Sequence, residues 1–217
     1  MKKEISVKPE KITELWPGEL NMFSWMEFVA AIPSPLFVVT GWKINGKENA
    51  CLQSWATFAS DSGEFICILA SVSKNGHMYR SLKETGCCVL NFPSADIFDK
   101  CHGTIEHNQF EADEITESGL TAEKAVCVNA PRIAECFLNI ECDFLWEQSI
   151  FNNSNNVVIA LKAVHINMDS NRYDHDMLGR FGKNGYIFNI NSPRNHDTGE
   201  AVEESIGIIE IHNSLKK

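Results

Sequence analysis

The residues with chemistry to offer fall into two groups between positions 49 and 79. The first is Asn49, Ala50, Cys51, Ser54 and Trp55; the second is Ser71, Ser73, Lys74, His77, Met78 and Tyr79. Small side chains let a backbone approach a ligand closely, while hydroxyls, amides and cations together replace the water shell of an anion. Lys74 would supply a point charge, and Ser71, Ser73 and Tyr79 directional donors. A helix opening after Asn75 would add partial positive charge at its first turn. His77 could donate to the same anion; alone it reads as a surface or structural histidine, not an acid or base. No Ser-His-Asp arrangement, acid/base pair or Gly-x-Gly-x-x-Gly fingerprint accompanies these groups. Neither a protein nucleophile nor a Rossmann dinucleotide site is expected, and no catalytic side chain is assigned.

These groups need strands and one helix to position them. Residues 36–42 (LFVVTGW) read as a buried strand, Asn45-Gly46 as a hairpin turn, and residues 49–59 as its partner. A second strand covers 64–71, a helix 75–84 closes on Thr85-Gly86, and a third strand covers 87–92. Residues 94–107 carry helical spacing, 108–126 are acidic and irregular, and Thr121 is placed to cap a short helix. Long β-like runs at 133–146 and 157–168 flank an Asn-Asn-Ser-Asn-Asn loop, and a last amphipathic piece spans 206–211. Many short strands with few helices predict a mainly β fold with helical insertions, a β-barrel. The expected organisation is an N-terminal arm (1–20), one domain (21–190) and a C-terminal tail (191–217).

The chain is long enough, at 217 residues, to bury a substantial core. A formal charge of −10 disfavours nucleic acid and anionic lipid as partners. No apolar run reaches the roughly 18 residues that span a bilayer, and the start lacks the apolar core of a secretory signal. Eight cysteines sit mostly inside apolar runs without a CxxC, which argues for reduced thiols in a cytoplasm and against a zinc site. No metal site is expected.

The order of the pieces resembles the flavin reductase-like, FMN-binding split-barrel family, and most closely its flavoredoxin branch. The likeness rests on a proline-bounded strand (32–40), Asn49-Ala50, Ser54-Trp55, a strand ending at Ser71, the loop 73–79, and Lys83-Glu84-Thr85-Gly86. Downstream it rests on Gly119-Leu120-Thr121, Ala130-Pro131-Arg132-Ile133 and Leu178-Gly179-Arg180-Phe181-Gly182 with Tyr186. The resemblance implies a homodimeric split barrel holding FMN noncovalently near the subunit interface. Asn49, Ala50, Cys51, Ser54 and Trp55 would line the isoalloxazine edge; Ser71, Ser73, Lys74, His77, Met78 and Tyr79 would hold the ribityl chain and phosphate. It further implies an oxidoreductase taking electrons from NAD(P)H, or a flavoredoxin-type carrier, with small-molecule or protein electron partners. The alternative is a noncatalytic flavin-binding, storage or sensor protein, and a more distant one a related barrel for haem or F420. Two departures bear on that choice. Ser73-Lys74 stands where the family often has an arginine, and Asn108-Gln109-Phe110 where it often has Asp-Lys-Phe.

Overall fold

The structure is a computed structural model, and it describes residues 2–173, 177–190, 194–195, 197–201 and 206–211. The chain divides into two compact units, one made of residues 35–187 with 208–217 and the other of 1–34 with 188–207. A two-residue strand, β1 (Ser34–Pro35), opens the strand series.

The larger unit is built on one seven-stranded antiparallel sheet. Its strands are β2 (Phe37–Trp42), β3 (Glu48–Gln53), β4 (Ala56–Asp61), β5 (Glu64–Ser73), β6 (Cys87–Phe92), β9 (Leu138–Ser149) and β10 (Asn156–Met168). They lie in the order β3-β2-β6-β9-β10-β5-β4. Period-2 alternation decides which face each side chain serves. Phe37 and Val39 of β2 join Leu90, Phe92, Ile140, Ile159 and Leu161 in the main core. Val38, between them, faces a second cluster with Ala50, Cys101, Ile115, Leu120 and Ile133. Both faces of β6 are covered, so all six of its residues are buried and the run CCVLNF shows no polar alternation. Residues of β4, at the sheet edge, are mostly exposed.

Helix α3 (His77–Thr85) bridges β5 and β6 and sends Met78 and Leu82 into the main core. Gly86 ends it at φ 70°, a left-handed C-cap whose N–H bonds to Leu82 O. Helices α4 (Phe98–Glu106) and α5 (Glu114–Glu117) cover the other face through Cys101 and Ile115. Residues 121–124 depart from the expected capped helix. There β7 (Ala122–Lys124) pairs with β8 (Pro131–Ile133). Thr121 spends its N–H and hydroxyl on the Glu135 carboxylate, at 3.0 and 2.9 Å, and its carbonyl accepts from Ala134 N–H, so no helix starts.

Asn91 ties this hairpin to the sheet. Its Oδ1 accepts from Ile133 N–H at 2.9 Å and Asn139 Nδ2 at 3.0 Å, while Nδ2 donates to Val38 O and Thr40 Oγ1. A fully buried amide is tolerated because its bonds are made.

The smaller unit holds α1 (Glu19–Met22) and α2 (Trp25–Ala30), the latter opened by a Ser24–Glu27 capping box. The Arg194 guanidinium, fully buried, pairs with Glu19 at 2.6 Å and lies 4.4 Å over the Phe28 ring. A short helix α6 (Ser170–Tyr173) and strands β11 (Ile187–Asn189) and β12 (Ile206–Ile208) complete the described α-helices and strands. No helix among the described residues is long and apolar enough to cross a membrane.

Candidate functional site

The two groups of expected site residues meet along β3, the end of β5 and the start of α3. Strand β3 is aligned by β2, with Asn49 opposite Gly41 and Ala50 opposite Thr40. Asn49 is buried, and with its amide turned so that both neighbours are satisfied it spans two elements: Nδ2 donates to Glu114 Oε2 at 3.2 Å and Oδ1 accepts from Met78 N–H at 3.2 Å. The far end of the same segment is fixed by Ala70 N–H donating to Trp55 O at 2.7 Å. The segment 49–55 therefore meets the first turn of α3 at its Asn49 end and β5 at its Trp55 end. Ser54 and Trp55 are half-buried there.

Strand β5 reaches Ser73 rather than stopping at Ser71, and a β-bulge accommodates the extension. Val157 pairs with Val72 and Ile159 with Leu69, so Ala70 and Ser71 oppose the single residue Val158. Ser71 takes φ 56°, a left-handed conformation that costs a non-glycine residue about 1 kcal/mol. Bulges re-aim a side chain, and they concentrate near functional sites. Asn156 Nδ2 donates to Ser71 Oγ at 3.2 Å.

The following turn gathers donors. Ser73 is exposed, and Ser73 Oγ and O accept from Asn75 N–H and Gly76 N–H, bending the chain into α3. Lys74 N–H donates to Asn155 O at 2.9 Å, and Lys74 Nζ donates to Ser154 O at 3.2 Å and Ser149 Oγ at 3.4 Å. These acceptors of Nζ are neutral, so they hold the ammonium without cancelling its charge. Gly76 at the N-cap brings no side-chain cap to α3.

Not every expected donor faces the same way. Tyr79 OH donates to Glu147 Oε1 at 3.1 Å, and burial and that bond push the phenol above its usual value. His77 Nδ1 stands 3.6 Å from Glu114 Oε1, leaving Nε2 as the imidazole's other face. Met78 packs in the main core with Cys51 and Tyr79 against it. Burial, with the Glu114 charge beside it, pushes the Cys51 thiol up to about 11, which leaves it protonated at neutral pH.

Glu114 is the group the sequence did not reveal. It is completely buried, yet receives Lys43 Nζ at 2.7 Å, Ala50 N–H at 2.6 Å and the Asn49 amide. Lys43 Nζ also donates to Gln109 O and Ala112 O, each at 2.8 Å. A buried carboxylate is tolerable only when paired and hydrogen-bonded, and here that requirement locks β3, α3 and α5 together. A cavity of about 190 Å³ opens beside it, lined by Lys43, Ile44, His77, Arg80, Ser81, Glu84 and Phe110. A broader one, about 720 Å³, lies between Trp42, Glu48 and residues 122–131, and none of the expected site residues lines it.

The sequence matches the flavin reductase like domain over residues 29–182. The chain belongs to that family. Solved structures agree on the fold. Flavoredoxin of Desulfovibrio vulgaris (Miyazaki F) is 18% identical with a TM-score of 0.65, covering 85% of this chain and 90% of that one. Nitrilotriacetate monooxygenase component B from Bacillus cereus is 14% identical with a TM-score of 0.70, covering 99% and 100%. The FMN-binding protein from Thermus thermophilus with bound p-hydroxybenzaldehyde is 13% identical with a TM-score of 0.60, covering 87% and 90%. This flavin reductase-like chain is mainly β, with a large antiparallel sheet of the kind its split-barrel neighbours carry.

The residues present fit a flavin phosphate. A dianion needs cationic and hydroxyl donors that are held but not neutralised, and Lys74 on neutral acceptors, the two serines and an α3 start without a side-chain cap provide them.

Proposed function

We propose that this flavin reductase-like protein binds FMN noncovalently, with the phosphate at Ser71, Ser73, Lys74 and His77 and the ring along Asn49, Ala50, Cys51, Ser54 and Trp55. The single observation that carries the reading is the Lys74 ammonium, tethered by Ser149 and Ser154 on the same hairpin whose Asn156 holds Ser71. Met78 and Tyr79 contribute packing beneath the ribityl chain, because the Tyr79 proton is committed to Glu147. Glu114 acts through Asn49 and Ala50, keeping the ring-side strand in place.

When bound, FMN supplies the hydride and electron chemistry, and the chain orients it. The favoured activity is NAD(P)H-dependent reduction as in a flavin reductase, or flavoredoxin-type electron transfer to a small molecule or protein. A noncatalytic flavin-binding role is the second reading. Its support is Gln109, which stands where the family often carries a lysine and whose carbonyl Lys43 occupies. We place the flavin-binding domain at residues 21–190 with an arm before it and a tail after it. All eight cysteines are free thiols, which supports a reducing cytoplasm. A homodimer is the proposed assembly.

A visible spectrum of purified protein, before and after NADH or NADPH, separates the readings. Flavin absorbance bleached by a nucleotide supports the reductase; absorbance that persists supports the carrier or the noncatalytic protein. Failure to take up added FMN contradicts all three.

A further inference from the structure

We propose that Asn156 is a positioning residue that makes Ser71 a dedicated donor to a phosphate monoester; this rests on the reading that residues 71–79 receive the FMN phosphate. The first ground is hydrogen-bond polarity. Asn156 Nδ2 donates into Ser71 Oγ at 3.2 Å, so one lone pair of the hydroxyl is filled by an N–H. The hydroxyl's own proton is then left to donate, and the half-buried position of Ser71 leaves it a side on which to do so. A hydroxyl that accepts from an amide is also polarised into a better donor. An anion with no proton to give needs that polarity.

The second ground is the backbone. Ser71 holds φ 56° within the bulge, where a β-carbon is disfavoured, and a residue kept in such a conformation needs its surroundings to hold it there. The β9–β10 hairpin braces the stretch from Ser71 to Lys74 at three successive residues. Asn156 holds Ser71, Asn155 O takes Lys74 N–H, and Ser154 O takes Lys74 Nζ. The turn is braced in its own right by Asn156 N–H donating to Ser154 Oγ at 3.0 Å. An asparagine-rich stretch that looks like an exposed loop thus acts as a template for the phosphate turn.

The test titrates the full-length apoprotein with FMN and with riboflavin, which lacks the phosphate, by quenching of flavin fluorescence. Wild type, Asn156→Ala, Ser71→Ala and the double variant are compared. Asn156→Ala should weaken FMN about tenfold, the scale of one lost charge-assisted hydrogen bond, with riboflavin within about twofold. Ser71→Ala should do the same, and the double variant no worse than either single one. An equal loss for both ligands, or a drop in unfolding temperature with no change in the FMN-to-riboflavin ratio, makes Asn156 merely structural and overturns the proposal. Should Asn156→Ala fail to fold, unchanged FMN affinity in Ser71→Ala overturns it equally. A wild type that does not prefer FMN to riboflavin instead defeats the phosphate reading itself.

Discussion

Glu141 shows how a buried charge in this protein is made acceptable. Its carboxylate is fully buried and accepts from Val126, Cys127 and Val128 N–H and from Asn167 Nδ2. Burial alone pushes its pKa up, but the three backbone donors, with His165 nearby, outweigh it and hold the group below its ordinary 4.5. A lowered folded value means stability that is present above the unfolded value and disappears as pH falls through the folded one. Glu141→Gln should therefore unfold at lower urea than wild type at pH 7, by about 1–3 kcal/mol for the charged hydrogen bonds lost. The gap should close in acid, where wild type is protonated too. A gap of constant size down to the acid limit would mean that packing, not ionisation, is responsible. At this same scale, residue type alone marks Asn49 and the serines of 71–73 as candidates. It does not mark Glu114, Lys43 and Asn156, because their partners lie 64 to 85 residues away and nothing local marks them.

At the scale of elements, the strands were the legible part. The apolar runs at 36–42, 64–71 and 87–92 correspond to β2, β5 and β6, and the helix ended by Gly86 is α3. The misreading at Thr121 has a clear cause: a Thr before mixed polar residues suits a cap or a strand, and only Glu135 from the neighbouring segment decides. The bulge at Ser71 was also hidden, since a serine carries no sign of positive φ as a glycine would. The β9–β10 hairpin leaves Leu145, Trp146, Ile150, Phe151, Val164 and Ile166 exposed. A second copy of the chain is the proposed partner that would cover these side chains. Light scattering should report twice the 24.4 kDa chain mass, and Trp146→Glu with Phe151→Glu should shift it toward one. A wild-type monomer that still holds FMN would contradict the dimer while leaving the cofactor site intact.

For the molecule as a whole, fold and family are settled more firmly than chemistry. The match over residues 29–182 places the chain among flavin reductase-like proteins, while its structural neighbours range from a flavoredoxin to a monooxygenase component. One architecture serving several partners is the ordinary case, so function is decided at the site. The proposed function depends on a tethered ammonium at Lys74 gripping a phosphate. The most direct test is calorimetric titration of FMN into wild type and Lys74→Ala. The account predicts one FMN per chain and a loss of roughly tenfold or more in the variant, as expected when a charge-assisted bond is removed. An affinity for FMN that stays within about threefold of wild type, a smaller effect than any such bond would give, would place the cofactor elsewhere.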